Sequence, residues 1–374
     1  MTHSCRSSGC VVASRQTGRS TRNKIGESDT TRPTVSRTAA TWPPPSRALP
    51  VTRKELQYAT LLSWQRKRAN NWPIDRWVAA AESARSQVSL NYDVFVVEPK
   101  PIPSQIPGFE EAVGQATWPP STSTLIWGDD GGELLVDCLI TTTEAAALAA
   151  WVRSHERALE YIYITHPHGD HLLGLPTVLE AYPSAKPVAL AESIGAMEEQ
   201  VSPRRMQVWS AVFPDQLPDL PVVPAPLPGT SIPIGDQVAT VVPVGTTDSD
   251  LSSVVHVPAL GLVVSGDVVY NQTHMWLRGS TPESRVSWKR ALDAVENLGA
   301  DKIIAGHRHP RAIDDDAQRQ IEESRRYIAD FEAALARSSS PLDLIDRMMS
   351  IHGDRANPYT LWVAAYDLLG QKPA

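Results

Sequence analysis

The segment that most limits how this chain folds is a short apolar strand followed at once by a cluster of metal-binding side chains. Residues 160–164 alternate as a buried strand does, and residues 172–175 begin a predicted helix. Between them, residues 166–171 read His-Pro-His-Gly-Asp-His, so four candidate ligands fall within six positions. Such a strand, loop and helix belong at the edge of a sheet in an α/β protein.

The spacing within this motif predicts two metal ions. His166 and His168, two residues apart, can point at one ion, while Asp170 and His171 turn toward a second. Imidazole and carboxylate ligands together suit zinc, and they do not exclude iron or manganese. We therefore expect Zn²⁺ as the cofactor, as one or two ions.

Short apolar strands alternate with helices after residue 90, which predicts an α/β sandwich. The predicted strands are 92–97, 123–127, 133–138, 160–165, 187–190, 237–244, 253–257, 262–265 and 302–305. The predicted helices are 142–154, 172–182, 203–213, 283–298, 315–336 and two more after residue 341.

Two further candidate ligands follow apolar strands. Asp267 comes after Val-Val-Ser-Gly, and His307 comes after Ile-Ile-Ala-Gly, so each strand is expected to end in a glycine and then a ligand. Asp267 has two oxygens with which to bridge two ions, and His307 can complete the second ion. Beside the histidine motif, both residues are predicted to bind metal.

The two ends of the chain differ from its middle. Residues 1–50 are rich in Ser, Thr and Arg and are predicted to be a disordered tail; a transit peptide, or a start codon chosen too far upstream, has the same composition. Residues 51–89 are predicted to form a helical extension, residues 90–340 the main domain, and residues 341–374 helices packed on that domain.

Composition limits the partners. No apolar run approaches the roughly 20 residues of a membrane-spanning helix, and a net charge of −7 without a basic stripe near the motif argues against nucleic acid. The three cysteines suggest no disulfide framework. We expect a cytoplasmic protein that acts on a small molecule, and the sequence does not indicate its oligomeric state.

In this order, the motif at 166–171, Ser-Gly-Asp at 265–267 and Ala-Gly-His at 305–307 resemble the metallo-β-lactamase superfamily. The resemblance covers about residues 90–335. It implies a four-layer αββα sandwich, with metal ions at one edge between the two sheets, and a hydroxide that bridges the metals as nucleophile. It implies a metal-dependent hydrolase.

One position departs from the family pattern. Thr246 stands where the family carries a third histidine for the first ion, and a hydroxyl is a much poorer zinc ligand than imidazole. Asp248, Asp250 and His274 are imaginable substitutes. Three interpretations stay open: a mononuclear centre at the second site, a dinuclear centre with a weak first site, or a non-hydrolytic or binding member of the fold.

The predicted substrate is an ester, lactone, thioester or amide of a small metabolite. Asp170 or Asp267 is predicted to orient the attacking water or to carry its proton to the leaving group. Tyr270, three residues after Asp267, is predicted to donate to the developing oxyanion, as in similar lactone-cleaving members of the superfamily. Thr246 and His274 are predicted to contact the substrate.

Overall fold

A computed structural model describes residues 89–129 and 131–370, all of them within the second of the chain's two units, Pro73–Ala374. The predictions for the tail at 1–50 and for the extension at 51–88 lie outside the described residues. The strands are β1 Leu90–Val97, β2 Lys100–Pro101, β3 Thr117–Trp118, β4 Ser121–Gly128, β5 Gly131–Val136, β6 Tyr161–Tyr163, β7 Lys186–Ala189, β8 Ala225–Pro226, β9 Ser231–Ile234, β10 Gln237–Gly245, β11 Ser252–Val257, β12 Leu262–Asn271 and β13 Lys302–Arg308. The helices are α1 Phe109–Ala112, α2 Thr142–Ser154, α3 Gly169–Leu172, α4 Leu175–Ala181, α5 Ile194–Gln200, α6 Pro203–Val212, α7 Pro282–Glu296, α8 Ala317–Leu335, α9 Pro341–His352 and α10 Pro358–Leu369.

The strands form two main sheets and a small hairpin. The first sheet has the order β1-β4-β5-β6-β7-β8, antiparallel from β1 to β5 and parallel from β5 to β8. The second has the order β13-β12-β11-β10-β9, in which only β12 and β13 pair in parallel. Side chains from both sheets, such as Val136 of the first and Val255 of the second, share one buried apolar cluster, so the sheets pack face to face.

Helices cover the outer face of each sheet. On the first sheet, the apolar face of α2, with Ala145, Leu148 and Val152 at helical spacing, packs on β5 and β6. On the second sheet, α7 to α10 share one large cluster with β12. The layers are therefore helix, sheet, sheet and helix, which confirms the predicted αββα sandwich.

The predicted strands and helices are found in the structure, but several elements were not predicted. Among these are the β2–β3 hairpin, α5 and β9. Strand β9 contains Pro233, a residue that lacks a backbone donor and marks edge strands, and β9 lies at the edge of the second sheet. Among the helices of the described part of the chain, none has both the length and the apolar composition needed to cross a membrane.

Two local predictions were wrong. The candidate ligands do not all lie on a loop, because α3 already begins at Gly169 and the predicted helix is interrupted at Gly174. A side chain at Gly174 would collide with the Cys138 carbonyl oxygen, so the chain passes too close there for any other residue.

The second error concerns the strands before Asp267 and His307, which were predicted to end at glycine. Strand β12 instead continues to Asn271 and β13 to Arg308. The pairing of β12 with β13 shifts register on both sides of Gly266, whose φ of +48° belongs to the left-handed region. Asp267 therefore lies within an irregular strand, where the bulge directs its carboxylate toward the other ligands.

Candidate metal centre

The predicted ligands come together between the two sheets and divide into two groups. We call His166, His168, Asp248 and Asp267 the outer group, and Asp170, His171 and His307 the inner group. Within each group, one ligand atom per residue lies within 4.8 Å of all the others, the arrangement that a single ion requires. Asp267 also lies 3.1 Å from His307 Nε2 and 3.2 Å from His171 Nε2, so it stands between the groups.

The inner group is buried and closely supported. His171 Nδ1 lies 2.8 Å from Asp137 Oδ2, and His307 Nδ1 lies 2.9 Å from the Pro120 carbonyl oxygen, to which it donates. Both contacts hold the proton on Nδ1 and leave Nε2 facing the other ligands. The Trp118 indole N–H donates to Asp170 Oδ2 at 3.1 Å. The three ligands are therefore oriented before any ion binds.

The outer group is less enclosed. The His168 side chain is 24% exposed, and its Nδ1 lies 3.5 Å from Asp248 Oδ2. His166 is buried, with Nε2 3.9 Å from Asp267 Oδ2. Besides Asp267, the outer group contains one more carboxylate, that of Asp248, which is wholly buried. It accepts a hydrogen bond from Thr247 Oγ1 at 2.9 Å.

The position of Asp248 bears on the missing third histidine. Thr246 lies on the loop after β10 and belongs to neither group, whereas Asp248, two residues later, places its carboxylate beside His168. Asp250, the other acid of this loop, is exposed. A carboxylate oxygen is a good zinc ligand, so the outer group has four donor side chains despite Thr246.

The residues present fit divalent cations. His166 Nε2, His171 Nε2 and Asp267 Oδ1 are buried and form no hydrogen bond within the described residues, although the last two atoms lie 3.2 Å apart. An unpaired buried polar atom costs about 1–3 kcal/mol, which an ion bound between these atoms would remove. A Cβ on Gly306 would lie 2.5 Å from Asp267 Oδ1, so the backbone there leaves space for that carboxylate alone.

The carboxylates around the inner group raise the pKa values of its two histidines. Burial opposes charge on the His171 imidazole, yet the Asp267 and Asp137 carboxylates hold its pKa well above the usual range. Burial likewise opposes charge on His307, but Asp267 and Asp170 raise its pKa to about 10. Cations are thus favoured between these carboxylates, and a metal ion that binds here displaces protons from both histidines.

The outer group behaves differently. Burial, followed by the charge of His171, holds the pKa of His166 well below its usual range, so this imidazole is neutral and ready to bind a metal. Burial also acts on His168, but the neighbouring Asp248 carboxylate raises its pKa. Burial and Asp267 raise the pKa of Asp248 itself. The histidines of the outer group therefore carry less positive charge than those of the inner group.

Tyr270 lies against the Asp267 carboxylate, which stands between the groups, and against the Asp248 carboxylate of the outer group. Its hydroxyl donates to Asp267 Oδ2 at 3.0 Å and lies 3.3 Å from Asp248 Oδ2. Burial, and then the nearby carboxylates, raise its pKa well above the ordinary value, so it is a neutral phenol at neutral pH. In this conformation its proton is directed at Asp267, and donation to an oxyanion requires that hydrogen bond to be exchanged.

His274 forms part of the cavity wall above the ligands. Its Nδ1 lies 2.9 Å from the Tyr327 hydroxyl, while its Nε2 is buried and has no partner within residues 89–129 and 131–370. Burial lowers its pKa to about 3, so the imidazole is neutral. Thr246 does not line this cavity, in contrast to the predicted substrate contact.

Two supporting residues were not predicted. Asp137 follows β5 with a φ of +64°, and it accepts from the Thr165 backbone N–H at 2.9 Å as well as from His171. Trp118 lies in the β2–β3 hairpin, far from the motif in sequence. The signal for Asp137 was its place directly after an apolar strand, as for Asp267; for Trp118 the sequence carried none.

The ligands open into a chamber of about 60 Å³, with Trp118, Trp209 and Trp276 around its mouth. Beyond this mouth lies a cleft of about 910 Å³ that shares these three tryptophans and Arg205 with the chamber. The chamber is much smaller than the cleft, so it suits a reacting group, whereas an extended ligand fits only in the cleft.

Comparisons with known proteins agree with this architecture. The family model described as the metallo-beta-lactamase superfamily matches residues 116–307, and a search of the curated proteins found no match. Among solved structures, a metallo-beta-lactamase family protein from Thermus thermophilus is 17% identical, with a TM-score of 0.51 over 74% of this chain and 92% of that one. A beta-lactamase domain protein from Burkholderia ambifaria is 15% identical, with a TM-score of 0.51 over 74% of this chain and 85% of that one. At these identities the likeness concerns the fold.

Proposed function

Because the chain belongs to the metallo-beta-lactamase superfamily, we propose that it is a metal-dependent hydrolase of a small-molecule ester, lactone, thioester or amide. The observation that supports this most is the pair of ligand groups that meet at Asp267, where two imidazole nitrogens and one carboxylate oxygen are buried without a hydrogen bond. Divalent ions in such a site lower the pKa of water toward neutrality and polarise a carbonyl oxygen.

We assign both groups to metal ions, preferably zinc. His166, His168 and Asp248 hold the first ion, Asp170, His171 and His307 hold the second, and Asp267 lies between them. Two ions are favoured over a mononuclear centre because Asp248 supplies the outer group with a buried carboxylate.

Asp170 and Tyr270 are proposed to act on the reacting groups. Asp170 is held by the Trp118 indole at one oxygen and lines the chamber, where its carboxylate orients the attacking water and receives its proton. Tyr270 positions Asp267 through its hydroxyl, lines the chamber and is a neutral donor for a developing oxyanion.

His274 is proposed to bind the substrate from the opposite wall. The Tyr327 hydroxyl, 2.9 Å from His274 Nδ1, can donate its proton to that nitrogen. In that tautomer, Nε2 carries the hydrogen and donates it into the chamber. A substrate carbonyl is the acceptor that this donor suits.

Metal analysis of the purified full chain, combined with hydrolysis assays, tests the proposal. We expect about two zinc ions per chain, hydrolysis of 4-nitrophenyl acetate or of a simple lactone or thioester, loss of activity after chelation, and recovery when zinc is returned. About one ion per chain with full activity would favour a mononuclear centre. Metal-free protein without activity on any of these compounds would instead favour the alternative that the chain is a non-hydrolytic or binding member of the fold.

A further inference from the structure

The large cleft beside the metal centre carries features that the hydrolysis itself does not need. Two helices face each other across it. On α6, Arg205, Val208, Trp209 and Val212 follow one another at helical spacing, and on α10 Tyr359, Val363 and Tyr366 do the same.

The lining of the cleft is mainly apolar and partly left in contact with solvent. Val208 is 48% exposed and Leu342 is 51% exposed, although both face the cleft. A cavity of about 910 Å³ with such walls is the size of a site for a drug-sized ligand. Because an exposed apolar surface is costly in water, the cleft is suited to an apolar ligand.

Arg205 lies where the chamber and the cleft join, since it lines both. Its Nε donates to Gln200 Oε1 at 3.1 Å, and its guanidinium lies 5.1 Å from the centre of the Trp209 ring. These contacts fix the side chain but use only one of its five N–H donors. In the described part of the chain, Arg205 forms no ion pair with a carboxylate.

The remaining charges of the cleft compensate one another. Arg278 lies at the cleft wall with its Nε 3.4 Å from Asp367 Oδ1. Burial, and then the charge of Arg278, lower the pKa of Arg205, while the charge of Glu199 raises it. An anionic group at the junction of the chamber and the cleft would accept hydrogen bonds from the Arg205 donors that no described residue uses.

We propose that the cleft binds the apolar chain of an amphiphilic acyl substrate whose anionic group pairs with Arg205 beside the metal centre. The inference rests on the proposed function, and it narrows the substrate class from small esters and related compounds to those with an extended apolar part and a carboxylate or similar anion. The small chamber receives the scissile group, and the chain lies between α6 and α10.

Tryptophan quenching by a brominated probe tests the site without relying on hydrolysis. Bromine quenches indole fluorescence on contact, and Trp118, Trp209 and Trp276 line the cleft. With the full-length, metal-loaded chain, 11-bromoundecanoate is expected to quench saturably and to bind about tenfold more tightly than uncharged 11-bromoundecanol. That factor corresponds to one charged hydrogen-bonded pair.

Matched variants locate the site. Arg205→Gln should remove the tenfold preference for the carboxylate, while Arg204→Gln, which removes the same charge from an exposed neighbour, should keep it. Val208→Glu should weaken the binding of both probes by about tenfold or more, because it places a charge against the apolar chain. Val286→Glu, at an exposed valine of α7, should not.

Metal content and hydrolysis of 4-nitrophenyl acetate are measured on the same preparations. Equal binding of the two probes, equal effects of Arg205→Gln and Arg204→Gln, or no quenching would each overturn the inference. If the acetate is still hydrolysed in that case, the proposed function stands. Arg205-dependent binding without hydrolysis of any ester would overturn the proposed function and, with it, the role of the cleft as a substrate site.

Discussion

The inner and outer ligand groups start from one six-residue motif, yet the protein supports them very differently. Each inner ligand is held by a partner on another element: His171 by Asp137, His307 by the Pro120 carbonyl, and Asp170 by Trp118. In the outer group, His168 is partly exposed and Asp248 comes from a loop. Preorganised ligands lose less conformational freedom when an ion binds, so the inner group should bind its metal more tightly.

Removal of one histidine from each group gives the largest expected effect. His171→Ala should remove the inner ion and lower kcat/KM by more than about 100-fold. Loss of a residue that only supports a ligand costs about 10–100-fold, and loss of the ligand itself should cost more. His168→Ala should release the outer ion and cost less. Zinc content and esterase rates of the two variants measure the difference, and equal losses would show that the groups are equivalent.

The support of the inner group can be broken without touching a ligand. Asp137→Asn should weaken zinc binding at the inner group by about 10–100-fold, because His171 loses its charged partner. Asp215→Asn is a matched control, since Asp215 is exposed and has a φ of +59°, close to the +64° of Asp137. Competition with a chromophoric chelator gives both affinities. Equal zinc affinity in the two variants would show that Asp137 does not support the inner group.

The outer group can be tested through Asp248. Asp248→Ala should reduce the metal content from about two ions to one and the activity by about tenfold, whereas Asp250→Ala on the same loop should change neither. Adding Thr246→His to Asp248→Ala should restore part of the second equivalent, because imidazole returns to the family's usual position. Unchanged metal content in Asp248→Ala would mean that this carboxylate is not a ligand.

The smallest expected effect concerns His274, which lies in the chamber wall and belongs to neither ligand group, and it is an effect on stability in acid. The pKa of His274 is lowered to about 3 by burial and then by Arg355 and His352, while its value in the unfolded chain is about 6.5. Below pH 6.5 the unfolded state therefore binds more protons, so stability falls as the pH drops toward 3, by at most about 1.4 kcal/mol per pH unit. His274→Gln should make the free energy of unfolding less sensitive to acid, and His256→Gln, at a partly exposed strand position, should change it less. Identical acid dependence in both variants would contradict the assignment.

The Asp248 carboxylate shows why part of the site could not be predicted. From the sequence, Asp248 was only an imaginable substitute for the third histidine, because it follows on the same loop but does not stand at the family's position. Its place beside His168 depends on the loop after β10, where Thr247 and the Tyr270 hydroxyl contact its two oxygens. A loop conformation set by a side chain 22 residues away has no local sequence signature.

From the sequence by itself, apolar strands alternating with helices predicted an α/β sandwich, and local motifs predicted six candidate metal ligands. The resemblance of those motifs to the metallo-β-lactamase superfamily added the four-layer αββα arrangement. Only the tertiary structure decided which ligands share an ion, which supporting residues fix them, and that the centre opens into a large apolar cleft with Arg205 at its entrance. These features depend on contacts between side chains far apart in sequence. Asp137 and His171 are 34 residues apart, and the walls of the cleft come from α6 and α10. Such contacts arise from packing of the whole domain, and no local pattern encodes them.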